Sequence, residues 1–590
     1  MRFFCSAKHQ HKGDTSMRYN LAIRLSLIAG AALIALSLPA HAQLTVANLV
    51  RYQVIQRDST SLTATFVDTG VCRSGSAKIQ LLLVKQSDNT VVGAFSWKDL
   101  GSVSVSGTKW KATMADLPVG GEYKARFRAL NANGDVTDSS AEIQNLLVGD
   151  IWLCAGQSNM QGSPGVTIDA THVHTVQTPG LGGSTGNQWG TSATYGPSTS
   201  MGNKLYSLTG IPIGIIYAAQ GGTSLTDWFF APGNNLFTTM SKFVRSSVNW
   251  KIGGFEWYQG ENEDQQDTWA QRYFTKFSRM RDSIRTLSAN RKLPMIIVQL
   301  ESWDGLGVYL LNPFSRWIRW PIIRDQQELL SQSDAYSATA PIWDCPGIHI
   351  NSADEAKLGQ RCAASAIRIA YSNQSTAGSG PRFKAAWYQD TTRTGIVVQF
   401  QDVRGKLINP ADAAHLGFYV MKPSVFDIND SMILNYGSSA KMLKTINSVD
   451  ALDNDKVIIK LAVATTDSLT VGYGRHIQLI SLSPVTDSSG IPLRTFFNRP
   501  IARSAPTAVK TAPPVARPEA ISVYGTTMRV RAGEKTPLVV SIFNAEGVLI
   551  RSMTTMQHCI DLRSSLKPGW YLLRAEIQGR SVSAKMAIIR

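Results

Sequence analysis

Between Leu44 and about Gln144, apolar and polar residues alternate in short runs such as Leu62-Thr63-Ala64-Thr65-Phe66 and Tyr123-Lys124-Ala125-Arg126-Phe127-Arg128-Ala129, separated by Gly, Asn and Asp turns. A period of two puts every second side chain on one face of a strand, so the pattern predicts antiparallel, half-buried strands and a β-sandwich over residues 43–145. From Leu146 the texture changes. Continuous apolar runs at Leu146–Ala155, Ile211–Ala219, Ile252–Tyr258 and Pro294–Leu300 read as strands buried on both faces. Helical patterns lie between and after them, and the clearest carries Tyr273, Phe277, Met280, Ile284 and Leu287 on one face. Strands alternating with helices predict an α/β domain with a mostly parallel sheet over residues 146–372. Alternation returns after Gly380, as in Gly395–Phe400 and Lys456–Leu461, and predicts a second β-domain over residues 373–501. Pro506, Pro513, Pro514 and Pro518 mark a stiff linker over 502–518. Beyond it, paired strands around Asn544-Ala545-Glu546-Gly547 and Gln578-Gly579, with a turn at Pro568-Gly569, predict a small β-sandwich over 519–590.

The chain is 590 residues long and 43% hydrophobic, enough for several cores and too apolar for a disordered protein. Its net charge of +17 first points to an acidic partner. Residues 1–42 hold +4 of it and residues 501–590 hold +8, which leaves +5 on the body of the chain. That body lacks a basic stripe interleaved with aromatics, so nucleic acid is not an expected partner. Arg18 and Arg24, an apolar run from Leu25 to Leu38 and the small-residue site Ala40-His41-Ala42 read as a secretory signal peptide within residues 1–42, cut before Gln43; Met17 is an alternative start. The run is shorter than the ~20 residues of a spanning helix, and no later segment is more apolar, so stable membrane insertion is not expected. The expected location is outside the cytoplasm. Cys72, Cys154, Cys345, Cys362 and Cys559 have no metal-site spacing, and Cys345 with Cys362 is the one local pair that could bridge.

Open parallel sheets bind ligands beyond the carboxyl ends of their strands, so the loops leaving those ends are where chemistry is expected. The first strand runs into Gly156-Gln157-Ser158-Asn159-Met160, where Ser158 reads either as a nucleophile at a strand-to-helix turn or as an ordinary helix cap. The second ends in Gly221-Gly222-Thr223 and the third in Trp257-Tyr258-Gln259-Gly260-Glu261-Asn262-Glu263. Glycine lets backbone N–H groups approach a reacting oxygen, and an asparagine amide supplies another donor; a turn glycine and a loop asparagine are the plain alternatives. Gly347-Ile348-His349 precedes a helix with a capping-box pattern at Ser352 and Glu355. The Gly/Ser/Thr-rich stretch Thr178–Ser200 reads as a long binding or covering loop without the context of a phosphate fingerprint, and His172 and His174 before it read as loop residues rather than metal ligands.

Taken together, Ser158, Gly221, Asn262 and His349 resemble the four blocks of the SGNH hydrolases, and the wording resembles the sialate O-acetylesterase and acetylxylan esterase family. The matching text is Val148-Gly149-Asp150-Ile151-Trp152-Leu153-Cys154-Ala155-Gly156-Gln157-Ser158-Asn159-Met160, Gly221-Gly222-Thr223 with Trp228, and Trp257-Tyr258-Gln259-Gly260-Glu261-Asn262. Arg324, Gln327, Ile348-His349 and Leu358-Gly359-Gln360-Arg361 extend it. The resemblance spans about residues 45–500. It implies a central flavodoxin-like α/β domain flanked by β-sandwich domains, and a cofactor-free, metal-free hydrolysis of acetyl esters on sugars. It makes Ser158 the nucleophile and His349 the general base, with the Ser158 N–H, the Gly221 N–H and the Asn262 side chain as oxyanion hole; Gly222 is the alternative if the turn is shifted. The family's aspartate, two or three residues before the histidine, is replaced by Pro346 and Gly347. Asp344, Glu261 and Glu263 are the remaining carboxylates that could orient His349, and a Ser-His dyad is the other option. A noncatalytic glycan-binding protein on the same fold is the rival reading.

Val540–Ile550 and Leu566-Lys567-Pro568-Gly569-Trp570-Tyr571-Leu572-Leu573-Arg574 resemble the sorting domain of the type IX secretion system of Bacteroidetes. That resemblance implies secretion machinery as a partner and passage across the outer membrane.

Overall fold

The computed structural model describes residues 44–505 and 521–588, apart from segments at 163–165, 185, 193–195, 234, 303–312, 372–378, 410–416, 423–443, 475–483, 525–526, 531–537, 545–548, 556–558, 562–568 and 578–579. The expected signal peptide and the Pro-rich part of the linker lie outside the described residues, as do the tips of the two C-terminal hairpins. The chain divides into two compact units, residues 1–505 and 506–590. Among the described residues no helix is long and apolar enough to cross a membrane.

The centre of the first unit is a parallel sheet. Its strands are β1 (Val54–Gln56), β2 (Ile143–Gly156), β3 (Val173–Gln177), β4 (Ile213–Ala219), β5 (Gly254–Tyr258), β6 (Met295–Gln299) and β7 (Ser337–Pro341). They lie in the order β3-β4-β2-β5-β6-β7, with β1 against the first half of β2. Every residue of β4, β5, β6 and β7 is buried, as expected of parallel strands covered on both faces, and this includes the polar Glu256, Gln299, Ser337 and Thr339. The helices include α1 (Ser158–Gln161), α2 (Pro197–Thr209), α3 (Leu236–Val248), α4 (Tyr273–Leu287), α5 (Pro313–Gln332) and α6 (Ser352–Ala370). The expected apolar face of α4 is there: Tyr273, Phe277, Met280 and Ile284 are buried and Leu287 packs against the same core. The cap of α6 differs from the expected one. Asn351, not Ser352, is the N-cap, and its side chain accepts the Asp354 N–H at 3.0 Å.

β2 has fourteen residues and serves two domains. Its first half pairs antiparallel with Gly120–Leu130 of the N-terminal β-domain, and its second half pairs parallel with β4 and β5. The strand therefore crosses the boundary expected at Leu146. In the N-terminal domain, Tyr123, Ala125, Phe127 and Ala129 are buried in alternation and face Trp110, Met114 and Leu81 in a separate core. Among the described residues, the domain after α6 has three antiparallel sheets around a third core: one of Arg382–Tyr388, Gly395–Gln401, Lys456–Leu461 and Ile446–Asp453, one of Phe418–Met421, Thr470–Tyr473 and Phe496–Pro500, and a two-stranded one of Leu407–Ile408 and Thr486–Asp487. In the second unit, Leu549–Thr555, Leu538–Asn544, Gly569–Ile577 and Arg580–Ile588 form a four-stranded antiparallel sheet, and Ile521–Tyr524, Thr527–Val530 and Cys559–Asp561 form a three-stranded one.

Two further expectations are corrected. Cys345 and Cys362 are both buried free thiols. His174 is not a loop residue; it is buried on β3 with its Nδ1 2.7 Å from the Tyr52 carbonyl oxygen, whereas His172 stacks on Tyr206 and pairs with Asp169.

Candidate active site

The chain leaves β2 for β3 and β4 on one side, then returns to β5 on the other. The carboxyl end of β2 is thus the topological switch point, where flanking loops diverge and leave a crevice. Gly156 ends β2 at φ +155°, and a Cβ there would stand 1.9 Å from the Tyr258 carbonyl oxygen, so only glycine lets the two strand ends approach this closely. Ser158 follows as the first residue of α1. Its N-cap is Gln157, so the reading of Ser158 as a helix cap does not hold.

The six residues from Gln157 to Gly162 reach every other block of the site. Gln157, itself buried, accepts the Asn262 N–H on its side-chain oxygen at 3.2 Å. Asn159 grips the histidine loop from both sides, because its Nδ2 donates to the Ile348 carbonyl at 2.9 Å and its Oδ1 accepts the Ile350 N–H at 3.1 Å. Gln161 Oε1 accepts the Gly221 N–H at 3.1 Å. A Cβ placed on Gly221 would lie 3.6 Å from Ser158 Cβ, so this glycine stands directly beside the serine. Asn262 sits in the turn Glu261–Gln265, and its Oδ1 accepts from Gln265 Nε2 at 2.5 Å. With its oxygen so engaged, its Nδ2 is the group left to donate. The His349 ring is exposed, while its loop is also tied down by the Gly347 N–H donating to Ser302 O at 2.7 Å. Among the described residues no hydrogen bond joins Ser158 Oγ to His349.

The three carboxylates have separate partners. Asp344 receives both Nη atoms of Arg361, at 2.6 and 2.8 Å. Glu263 is buried, accepts the Leu225 N–H and lies 3.8 Å from Lys276, bracing the turn at Thr226–Phe230. Glu261 alone touches the serine block, accepting from Asn159 Nδ2 at 2.7 Å, and its other oxygen is buried without a hydrogen bond. Burial pushes the Glu261 carboxyl up to about 7, and burial with the nearby Glu261 charge pushes Glu301 up as well.

Arg324 and Gln327 are structural supports. Arg324 donates to the carbonyls of Leu300, Glu301 and Gly474, and Gln327 links the Leu300 N–H to the Gln259 carbonyl. These bonds fix the ends of β5 and β6. Trp228 Nε1 donates to Thr223 Oγ1 at 3.0 Å, and its ring meets Trp257 edge-on, which seats the Gly221–Thr223 turn. Gly359 lets α6 cross α2: a Cβ there would stand 2.5 Å from Pro197 O.

At the switch point of a parallel α/β sheet the structure thus draws together a serine, a glycine amide, an asparagine and a histidine loop. The α/β segment 148–368 matches the family model described as carbohydrate esterase, sialic acid-specific acetylesterase. A carbohydrate acetylesterase from Xanthomonas citri has a similar structure, with a TM-score of 0.56 and 20% identity over 77% of this chain and 99% of that one. A protein from Arabidopsis thaliana matches 38% of this chain and 99% of its own at 18% identity and a TM-score of 0.31. No curated protein matches the sequence significantly. The family match supports a carbohydrate O-acetylesterase.

Sequence reasoning placed Ser158, Gly221, Asn262 and His349 in separate blocks. It assigned no role to Gln157, Asn159 or Gln161, although these residues stood in or beside the matching text. A polar side chain repeated immediately around a candidate nucleophile, in an otherwise apolar stretch, was the available signal.

Proposed function

We propose that the protein is a secreted carbohydrate O-acetylesterase, most like sialate O-acetylesterase, acting through an acetyl-serine intermediate and needing no cofactor. The observation that carries this reading is the set of bonds by which Gln157, Asn159 and Gln161 tie the Ser158 turn to the Asn262, His349 and Gly221 loops. An isolated serine turn has no need of such links; a nucleophile with a base and an oxyanion hole on three other loops does.

Ser158 Oγ attacks the acetyl carbonyl while His349 takes its proton. The carbonyl oxygen becomes an oxyanion facing the Ser158 N–H, the Gly221 N–H and Asn262 Nδ2. Collapse breaks the bond to the sugar oxygen, which leaves with the proton from His349. Water, deprotonated by His349, then attacks the acetyl-serine, and acetate departs as Ser158 regains its proton. The missing aspartate is replaced by position rather than by charge: Asn159 and Ser302 hold the backbone around His349, and Glu261 holds Asn159. Asp344 is committed to Arg361, which favours the dyad over an Asp344-assisted triad.

The signal peptide, the C-terminal module as a type IX sorting domain and passage across the outer membrane complete the proposal, supported by their sequence resemblances. Acetylxylan and other acetylated plant glycans are the alternative substrates. The test is acetate release from an aryl acetate and from acetylated sialic acid and xylan by the purified mature protein. Activity abolished in Ser158→Ala is the expected result; full activity in that variant overturns the mechanism, and wild-type inactivity favours a glycan-binding role.

A further inference from the structure

The amide proposed to stabilise the oxyanion already has a partner. Gly221 N–H donates to Gln161 Oε1 at 3.1 Å, so a side-chain carbonyl occupies the donor that an ester carbonyl needs. The same carboxamide reaches away from the site on its other side, where Gln161 Nε2 donates to Gly182 O at 3.4 Å. Gly182 is held a second time, its N–H donating to Gln220 Oε1 at 3.0 Å. Gln220 immediately precedes Gly221. Gly182 belongs to a compact turn closed by the Gly180 N–H to Ser184 O bond at 2.9 Å and by the Leu181 N–H to Thr178 O bond. This turn opens the long Gly/Ser/Thr-rich stretch. Two glutamines therefore connect it to the oxyanion donor, one through the backbone and one through a bond that substrate must break.

We propose that Gln161 is a specificity-determining residue: its carboxamide occupies the Gly221 donor in the free protein, yields it to the ester carbonyl on binding, and thereby couples that step to the Thr178–Ser184 turn. The inference rests on the acetylesterase reading of the site. A binding-competent state that is only partly populated weakens apparent affinity in proportion, and one net hydrogen bond sets that population at roughly one part in three to one in ten. A substrate that also contacts the turn recovers the lost bond at Gly182. An ester too small to reach the turn does not. Gln161 thus penalises small, non-glycan esters.

Kinetics with 4-nitrophenyl acetate test this, with Ser158 titrated by a fluorophosphonate so that rates are per reactive site. Gln161→Met keeps the side-chain volume and removes both hydrogen bonds; Gln161→Ala removes the side chain. Both are expected to lower KM by about three- to tenfold. Gln161→Glu supplies a stronger acceptor for the Gly221 N–H, so its kcat/KM is expected to fall below wild type near neutral pH and to recover as the new carboxylate is protonated. A merely structural glutamine gives no such pH profile. The proposal is overturned if KM stays within twofold in both neutral variants, or if kcat falls at constant KM. Should the wild type neither hydrolyse the ester nor react with the fluorophosphonate at Ser158, the esterase reading fails and this proposal with it. An active wild type with unresponsive variants overturns the Gln161 role alone.

Discussion

The two ends of the parallel sheet both bury acidic side chains, and they treat them in opposite ways. At the amino end, Asp150 receives Arg57 Nε at 2.8 Å, Arg57 Nη2 at 2.9 Å, Gln56 Nε2 at 3.1 Å and the Tyr371 hydroxyl at 2.7 Å. Both oxygens are satisfied, and the pair ties β1 to β2. At the carboxyl end, Glu261, Glu263 and Glu301 each keep one oxygen buried without a hydrogen bond. Each such orphan costs about 1–3 kcal/mol against a satisfied one. Protonation softens that cost, and burial raises all three carboxyls. The amino end leaves Asp150 fully satisfied, an arrangement that favours stability. The carboxyl end gives up some stability to keep polar groups around the residues proposed to do chemistry.

The contrast can be broken in four places. Replacing Ser158 by Ala is expected to lower acetate release by at least about 10⁴-fold, the scale of losing a serine nucleophile, with little change in the urea midpoint. Arg57→Ala should do the reverse. Leaving Asp150 buried without its cation, held only by Gln56 and Tyr371, costs up to about 3–5 kcal/mol of stability, read from urea unfolding, while kcat per folded molecule stays at the wild-type value. If instead activity falls and stability does not, the division between the two ends is wrong. Asn159→Ala should cut kcat by about 100-fold, since it frees the loop carrying His349 and small displacements of a reacting group carry penalties of that size. The effect should appear in kcat more than in KM, because Asn159 holds the base rather than the sugar.

The smallest effect is on the pH dependence of stability. The folded protein holds the Glu261 proton up to about pH 7, whereas the unfolded chain loses it near 4.5. The native state binds more protons in that window, so stability falls as pH rises from about 4.5 to about 7, with a limiting slope of about 1.4 kcal/mol per pH unit. Glu261→Gln keeps an oxygen for Asn159 Nδ2 and should flatten this slope. An unchanged slope in urea titrations at several pH values assigns the titration to another group.

Much of this was legible in the sequence, because periodicity reports burial directly. The α4 face came from spacing and β2, β4, β5 and β6 from their apolar runs, with three of the four blocks in the loops after those strands; β7, Ser337-Ala338-Thr339-Ala340-Pro341, is buried without such a run and went unread. The rest depended on partners far along the chain. The apolar run of β2 reads as a strand, but nothing in it says that Ile143–Gly149 pairs with Gly120–Leu130 while Asp150–Gly156 pairs with β4 and β5. Asn351 and Ser352 are both good caps, and only the geometry of the first turn chooses between them. Asp344 looked like the nearest acid to His349, yet Arg361 lies one strand-to-helix turn away and captures it. Gln157, Asn159 and Gln161 were visible as letters, but a hydrogen bond across 105 or 191 residues has no local signature.

β2 also decides how the protein can be taken apart. A strand whose first seven residues complete one domain and whose last seven complete another is not a tether between modules but a shared beam. Cutting the chain at Leu146 would leave the parallel sheet with its central strand begun by a free end, stripped of β1, Arg57 and the Gly120–Leu130 partner. The N-terminal β-domain cannot be exchanged for another β-domain as a cassette. Any graft has to carry the register of β2 with it, so the seating of the N-terminal β-domain and the placement of Ser158 at the end of the same strand are inherited together.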